Sequence, residues 1–181
     1  MNDVFTEQLI VKKPDVRSTW MRLLIAAAGF VVTCLPFIID VLFIPPESQG
    51  RLLLYTPLTL AVSIFGVVML LRRMNIEYEY ILTNGELDVD KIIGRRSRKR
   101  LINSANCRNF DILTPVTAKS LHHYKNNRYK SMDVSSSPDA ANLWFAVFNG
   151  KKGAKIALIF EPNEKMLEQI KKFVPRSNIQ A

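Results

Sequence analysis

Two cysteines and two histidines are all that the 181 residues hold of either type. Cys34 falls in an apolar run and Cys107 in a polar region, so a disulfide framework is excluded. That usage fits a reducing cytosol. His122 and His123 are neighbours in a polar loop. In an extended chain adjacent side chains point opposite ways and chelate one ion poorly. No cysteine or acid stands near them at ligand spacing, so they read as loop residues and no metal is expected. Signatures of catalysis are missing as well: no glycine-rich phosphate loop, no Gly-x-Ser-x-Gly and no HExxH. Without a positioned base, nucleophile or metal, neither an enzyme nor a cofactor is expected, and no small-molecule substrate is identified. Aromatic residues are absent between Lys91 and Arg108, where the cations are densest. Single-strand recognition needs stacking platforms there, so nucleic acid is not the expected partner.

Charge is also absent from two long stretches. Leu52 to Leu71 is uncharged and ends on Arg72-Arg73. Leu23 to Ile39 is uncharged too, and after Asp40 the apolar pattern continues through Val41–Ile44. Each is long enough to cross a bilayer core of about 30 Å at about 1.5 Å per residue. A cleavable signal peptide competes for the first run, but its apolar region should stop after about 7–15 residues. Here the run continues well past Ala26-Ala27-Ala28, which favours a retained helix. Membrane helices tolerate Pro36, and Asp40 near a helix end reaches the headgroups. The breaker-rich stretch Pro45–Arg51 is only long enough to join antiparallel neighbours. Lys12, Lys13, Arg17 and Arg22 flank the first run, and Arg72 and Arg73 leave the second. The positive-inside rule then places both termini in the cytoplasm, on a multi-pass protein of the cell (inner or plasma) membrane.

The expected organisation is a cytoplasmic N-terminal segment (1–19), a first transmembrane helix (20–44), an external turn (45–51), a second transmembrane helix (52–73) and a cytoplasmic domain (74–181). Residues 72–181 carry twenty Lys/Arg against eleven Asp/Glu, whereas residues 1–71 are balanced. The net charge of +9 therefore belongs to the C-terminal part, and points to the cytoplasmic face and anionic lipid. In it, Ile76, Tyr78, Tyr80 and Leu82 alternate with Glu77 and Glu79, a half-buried strand. Asn84-Gly85 is a type I′ hairpin signal, and Leu87, Val89 and Ile92-Ile93 form the return strand. Cys107–Leu113 is a fourth strand; 114–140 is an extended loop with one irregular strand near Tyr129–Val134. Leu143–Phe148 and Lys155–Phe160 form a further hairpin over a core of Trp144, Phe145, Phe148, Ile156, Leu158 and Phe160. Met166, Leu167, Ile170, Phe173 and Val174 share a face of a helix over about 162–174, which Pro175 stops.

Six or seven antiparallel strands closed by one helix is the layout of a pleckstrin-homology-like (PH-like) domain. Several segments sharpen the likeness: Phe5–Lys13, then Glu77–Ile93 with its Tyr80-Ile81-Leu82-Thr83-Asn84-Gly85-Glu86-Leu87 centre, then Arg95–Arg100, and finally Leu158–Leu167. Together they resemble an uncharacterised family of Gram-positive bacterial two-helix membrane proteins with a cytoplasmic PH-like domain. The resemblance implies a two-helix transmembrane hairpin followed by an α+β PH-like antiparallel sandwich or barrel, and carries no activity with it.

The chief candidate site is basic. In Arg95-Arg96-Ser97-Arg98-Lys99-Arg100, five of six residues are cationic. If the first hairpin stands upright on the membrane, Gly94-Arg95 returns to the leaflet. Each cation there contributes about 1 kcal/mol towards an anionic surface. Arg95, Arg96 and Arg98, supported by Arg72 and Arg73, are the expected lipid-headgroup contacts; a solvated strand with ordinary positive-inside bias is the competing reading. Asp88, Asp90, Glu77 and Glu79 read as cross-strand partners of these cations. The expected function is a membrane-tethered, non-enzymatic interaction module that binds a protein partner, a second copy or the anionic leaflet. The alternative is a small accessory subunit of a membrane transport complex, in which Asp40, Pro36 and Pro57 would matter more.

Overall fold

The computed structural model describes residues 4–43, 52–117, 129–150 and 153–180. The expected 45–51 turn, His122 and His123 lie outside these residues, as do the side chains of Pro36 and Asp40. The chain forms two compact units: Met1–Lys13 with Ile76–Ala181, and Pro14–Asn75.

The first unit is built on two four-stranded sheets. Strands β1 (Phe5–Val11), β2 (Ile76–Thr83), β3 (Glu86–Ile93) and β4 (Ser97–Asn106) make one sheet in that order. Strands β5 (Phe110–Pro115), β6 (Lys130–Asp133), β7 (Trp144–Asn149) and β8 (Lys155–Phe160) make the other, ordered β5-β7-β8-β6. Two features differ from the sequence expectation. Phe5–Val11 is not part of a separate N-terminal segment: it pairs with β2 along its whole length, from Phe5↔Thr83 to Val11↔Glu77. The β domain is therefore assembled from two stretches of chain rather than from 74–181 alone. Second, β6 runs parallel to β8, so the second sheet is mixed and not wholly antiparallel.

Local chemistry explains the elements that were expected. Asn84 and Gly85 hold φ of 50° and 90°, the positive pair that a type I′ turn requires. Gly85 has a second role, because a Cβ there would stand 2.6 Å from the Phe173 ring. Asn106 accepts a hydrogen bond from the Arg108 N–H and starts a 3-10 turn over Cys107–Asn109. This cap delays β5 to Phe110, three residues later than the alternation predicts. Helix α3 (Glu164–Phe173) likewise starts at an Asn163 cap, whose Oδ1 accepts from the Met166 N–H at 2.8 Å, not at Pro162.

Tyr80, Leu82, Leu87 and Val89 of the first sheet meet Phe110, Leu113, Phe148, Leu158 and Phe160 of the second, beneath Met166 and Ile170 of α3. Phe145 faces away from this core and packs with Val147 and Ala157 in a smaller cluster. Period two along β7 separates it from Phe148.

The second unit contains α1 (Val16–Phe43) and α2 (Leu52–Arg73). Asp15 opens α1 four residues before the expected span, its carbonyl accepting from the Thr19 N–H at 2.9 Å. Among the described residues one helical stretch is long and apolar enough to cross a membrane, Val16–Leu35, with a mean hydropathy of 1.6. None of that stretch is buried.

Candidate functional site

The outer face of the first sheet carries the predicted cations. Because Tyr78, Tyr80 and Leu82 face the core, Glu77, Glu79 and Ile81 face outwards. Register then sets two rows side by side across four strands: Leu9, Glu79, Asp90 and Arg100; and Val11, Glu77, Ile92 and Arg98.

The three acids of these rows are buried although they face outwards. The side chains of Glu77, Glu79 and Asp90 are 9%, 8% and 1% exposed, while Arg95, Arg98 and Arg100 above them remain at least half in solvent. Arginine lays its apolar stem over a surface and keeps its head wet, which is the geometry seen here. Arg95 Nε donates to Glu77 Oε1 at 3.1 Å, and Arg100 Nε to Asp90 Oδ1 at 3.1 Å. Arg98 lies between the remaining oxygens, 2.6 Å from Glu79 Oε2 and 3.7 Å from Asp90 Oδ2. Neither of those oxygens has an aligned hydrogen bond, so Arg98 holds them by charge. Burial pushes the Glu79 carboxyl above its usual range; Arg98 pulls it down, and Glu7 and Asp90 push it up again. Asp88 is used differently. Its Oδ1 accepts from the backbone N–H of Ser104 at 2.6 Å, where β4 bulges with a φ of 52°.

The predicted headgroup contacts divide into three groups. Arg95 and Arg98 come together over one acid cluster, so their charges are largely spent within the sheet. Arg95 sits in the tight turn after β3 with a φ of 60°. Arg96 is exposed in the same turn, and among the described residues no ion pair involves it or Lys99. Arg72 and Arg73 belong to the helical unit and are exposed at the end of α2.

One feature of this face was only partly legible in the sequence. Phe5, Leu9 and Val11 stand on the outer side of β1 and are 60%, 52% and 57% exposed. Among the described residues of the β unit they are the large hydrophobic side chains left in water. In the sequence these are scattered apolar residues, with Leu9–Val11 readable as a short strand or a membrane-surface segment, and they identify a face only once β1 is known to pair with β2.

Other reactive groups are occupied by structure. Cys107 is fully buried, and burial pushes its thiol up to about 12, far from a reactive thiolate. Tyr80 donates its hydroxyl to the Val134 carbonyl in the core. Among the described residues no group of three or more His, Cys, Asp or Glu is placed to hold a metal ion.

A family model described as "Bacterial PH-like domain (DUF6106)" matches residues 2–180. No curated protein and no solved structure matches the chain.

Proposed function

We propose that this chain, which belongs to the family of bacterial PH-like domains, works as a membrane-anchored, non-enzymatic interaction module. The observation that carries the reading is the pairing of β1 with β2. The Lys12 N–H donates to the Ile76 carbonyl at 2.9 Å, so the chain leaves and re-enters the β unit at adjacent points of one sheet. Two strands of one sheet occupy one side of a membrane. The intervening residues therefore cross an even number of times. If α1 spans, α2 must span back, and Leu52–Leu71 has the uncharged length to do so. The cations at the ends, Lys12, Lys13, Arg17 and Arg22 with Arg72 and Arg73, favour the cytoplasm for the β unit and both termini.

The docking face in this reading is the outer side of the first sheet. Its character favours a protein partner over the leaflet. Three arginines there already face three carboxylates; among the described residues Lys91, Arg96 and Lys99 are the hairpin cations without an ion pair, and Lys91 and Lys99 lie in register with Tyr78 on the opposite face. Exposed apolar residues beside paired ions resemble the core and rim of a protein interface.

A photo-crosslinking residue in place of Leu9, in the full chain in its native membrane, tests this. The expected product is an adduct of discrete mass with a protein, a second copy included. Adducts with lipid alone would move the reading to the leaflet, and the absence of both would end it. Topology is tested by a cysteine placed between Pro45 and Gly50; labelling only from the cytoplasmic side overturns the orientation.

A further inference from the structure

We propose that the groove between α1 and α2 binds one anionic phospholipid, its phosphate at Arg22 and Arg72 and an acyl chain along the apolar wall. The two helices approach closely at Gly29, where a Cβ would overlap Val67 Cγ2. Towards the ends that carry the arginines, a cleft of about 470 Å³ opens between them. Leu23, Ala26, Val68 and Leu71 form its walls, and Arg22 and Arg72 line it as well.

The polar end of this cleft is incomplete. Arg22 Nη2 donates to Asn75 Oδ1 at 3.1 Å, but Arg22 Nε is buried and has no hydrogen-bond partner. Among the described residues neither arginine has a carboxylate partner. A buried donor on a cation is unfavourable until an acceptor reaches it. Thr19 adds no competing donor, because its hydroxyl is bonded to the Asp15 carbonyl. Two arginines lining one cleft with no carboxylate among the described residues suit an anion rich in acceptor oxygens, and phosphate matches the guanidinium fork. In the membrane reading the four apolar wall residues belong to the two spans and meet acyl chains. An amphiphile with phosphate at one end and a chain at the other satisfies both ends of the cleft at once. Basic pockets between helices on the cytoplasmic side recognise anionic headgroups by this logic.

The proposal rests on the membrane reading above, and the test separates the two. The full chain is reconstituted with equal phosphatidylglycerol and phosphatidylcholine, released into mild detergent and weighed by native mass spectrometry. One phosphatidylglycerol should be retained in preference to phosphatidylcholine. Arg22→Gln and Arg72→Gln should each lower its occupancy about tenfold, the loss of a charge-assisted hydrogen bond. Ala26→Phe, which fills the cleft and keeps both arginines, should lower it similarly. Equal retention of the two lipids, or retention indifferent to Arg22→Gln, Arg72→Gln and Ala26→Phe, overturns the site. Alkaline extraction of the same membranes reads the premise: a chain that is extracted overturns both readings, and one that stays but retains no phosphatidylglycerol overturns the site alone.

Discussion

Deleting α1 and α2 should leave a folded protein, whereas deleting β1 should not. Residues 1–13 joined to 76–181 through a short Asn-Gly turn preserve the β1–β2 pair, because Val11 already pairs with Glu77 and Lys12 already bonds to Ile76. A fragment of 74–181 keeps every other strand but exposes the edge of β2. It loses seven paired residues. At about one ladder bond per pair and about 1 kcal/mol net per bond, that is roughly 5–7 kcal/mol. It also loses Ile10 from the core, and Gln8, whose side chain donates to the Glu161 carbonyl and accepts from the Asn163 N–H. A domain of this size is stable by about 5–15 kcal/mol, so the loss is comparable to the whole. Urea and thermal unfolding by circular dichroism, with amide dispersion in a two-dimensional NMR spectrum, provide the readout. The joined fragment should unfold in one cooperative transition, and 74–181 should show none. Equal midpoints for the two fragments would refute the assignment of Phe5–Val11 to the fold.

Four further outcomes follow from the same geometry. Asp90→Ala leaves Arg98 and Arg100 without their shared partner; with both arginines half in water the cost is about 1–2 kcal/mol, measured by urea unfolding of the joined fragment. Glu79 holds its proton more tightly in the folded state than in the unfolded one, so its contribution falls as pH rises from about 4.5 through its raised folded value. Glu79→Gln should flatten stability across that window, as a pH series of melting temperatures will read. Gly85→Ala meets both a positive φ, costing about 1–2 kcal/mol, and the Phe173 ring, so it should lower the melting temperature, while Gly153→Ala, in open space at a similar φ, should lower it less. Gly29→Leu should push α1 from α2 and cost the full chain about 1–3 kcal/mol, read from its thermal unfolding in detergent.

What was legible in the sequence was what a short window contains. Asn84-Gly85, the alternation of Tyr78, Tyr80 and Leu82, and the apolar stripe of α3 each carry their own instruction. The partner of β1 does not, since it lies some seventy residues away beyond two helices, and Thr6, Gln8 and Ile10 on its inner side are not uniformly apolar. Nor does the direction of β6, which depends on the route the chain takes to reach β8 and not on the residues Lys130–Asp133. Strand direction and strand partner are properties of connection, and periodicity is silent on both.

The basic run shows the same limit in electrostatic form. Counting cations over Arg95–Arg100 treats each as available to a surface. Alternation already placed Glu77 and Glu79 opposite the core residues of β2; the register sets Asp90 directly across from Arg100, while Glu77 meets Arg95 of the turn and Glu79 meets Arg98 on the diagonal. Asp88 departs from this pairing because the β4 bulge presents the Ser104 N–H instead. Once three carboxylates face Arg95, Arg98 and Arg100, the long-range field of the hairpin reduces mainly to Lys91, Arg96 and Lys99, and a salt-screened surface at physiological ionic strength weakens even these beyond about 8 Å. A basic sequence therefore need not make a basic face. What distinguishes this face is the apolar row of β1 beside neutralised ions, whereas in the helical unit Arg22 and Arg72 line an apolar cleft with no carboxylate partner among the described residues. Arg96 also lacks a carboxylate but stands in an exposed turn, whereas Arg22 and Arg72 have an apolar cleft beside them for an acyl chain, which is why the groove, and not the hairpin, is the stronger candidate for a headgroup.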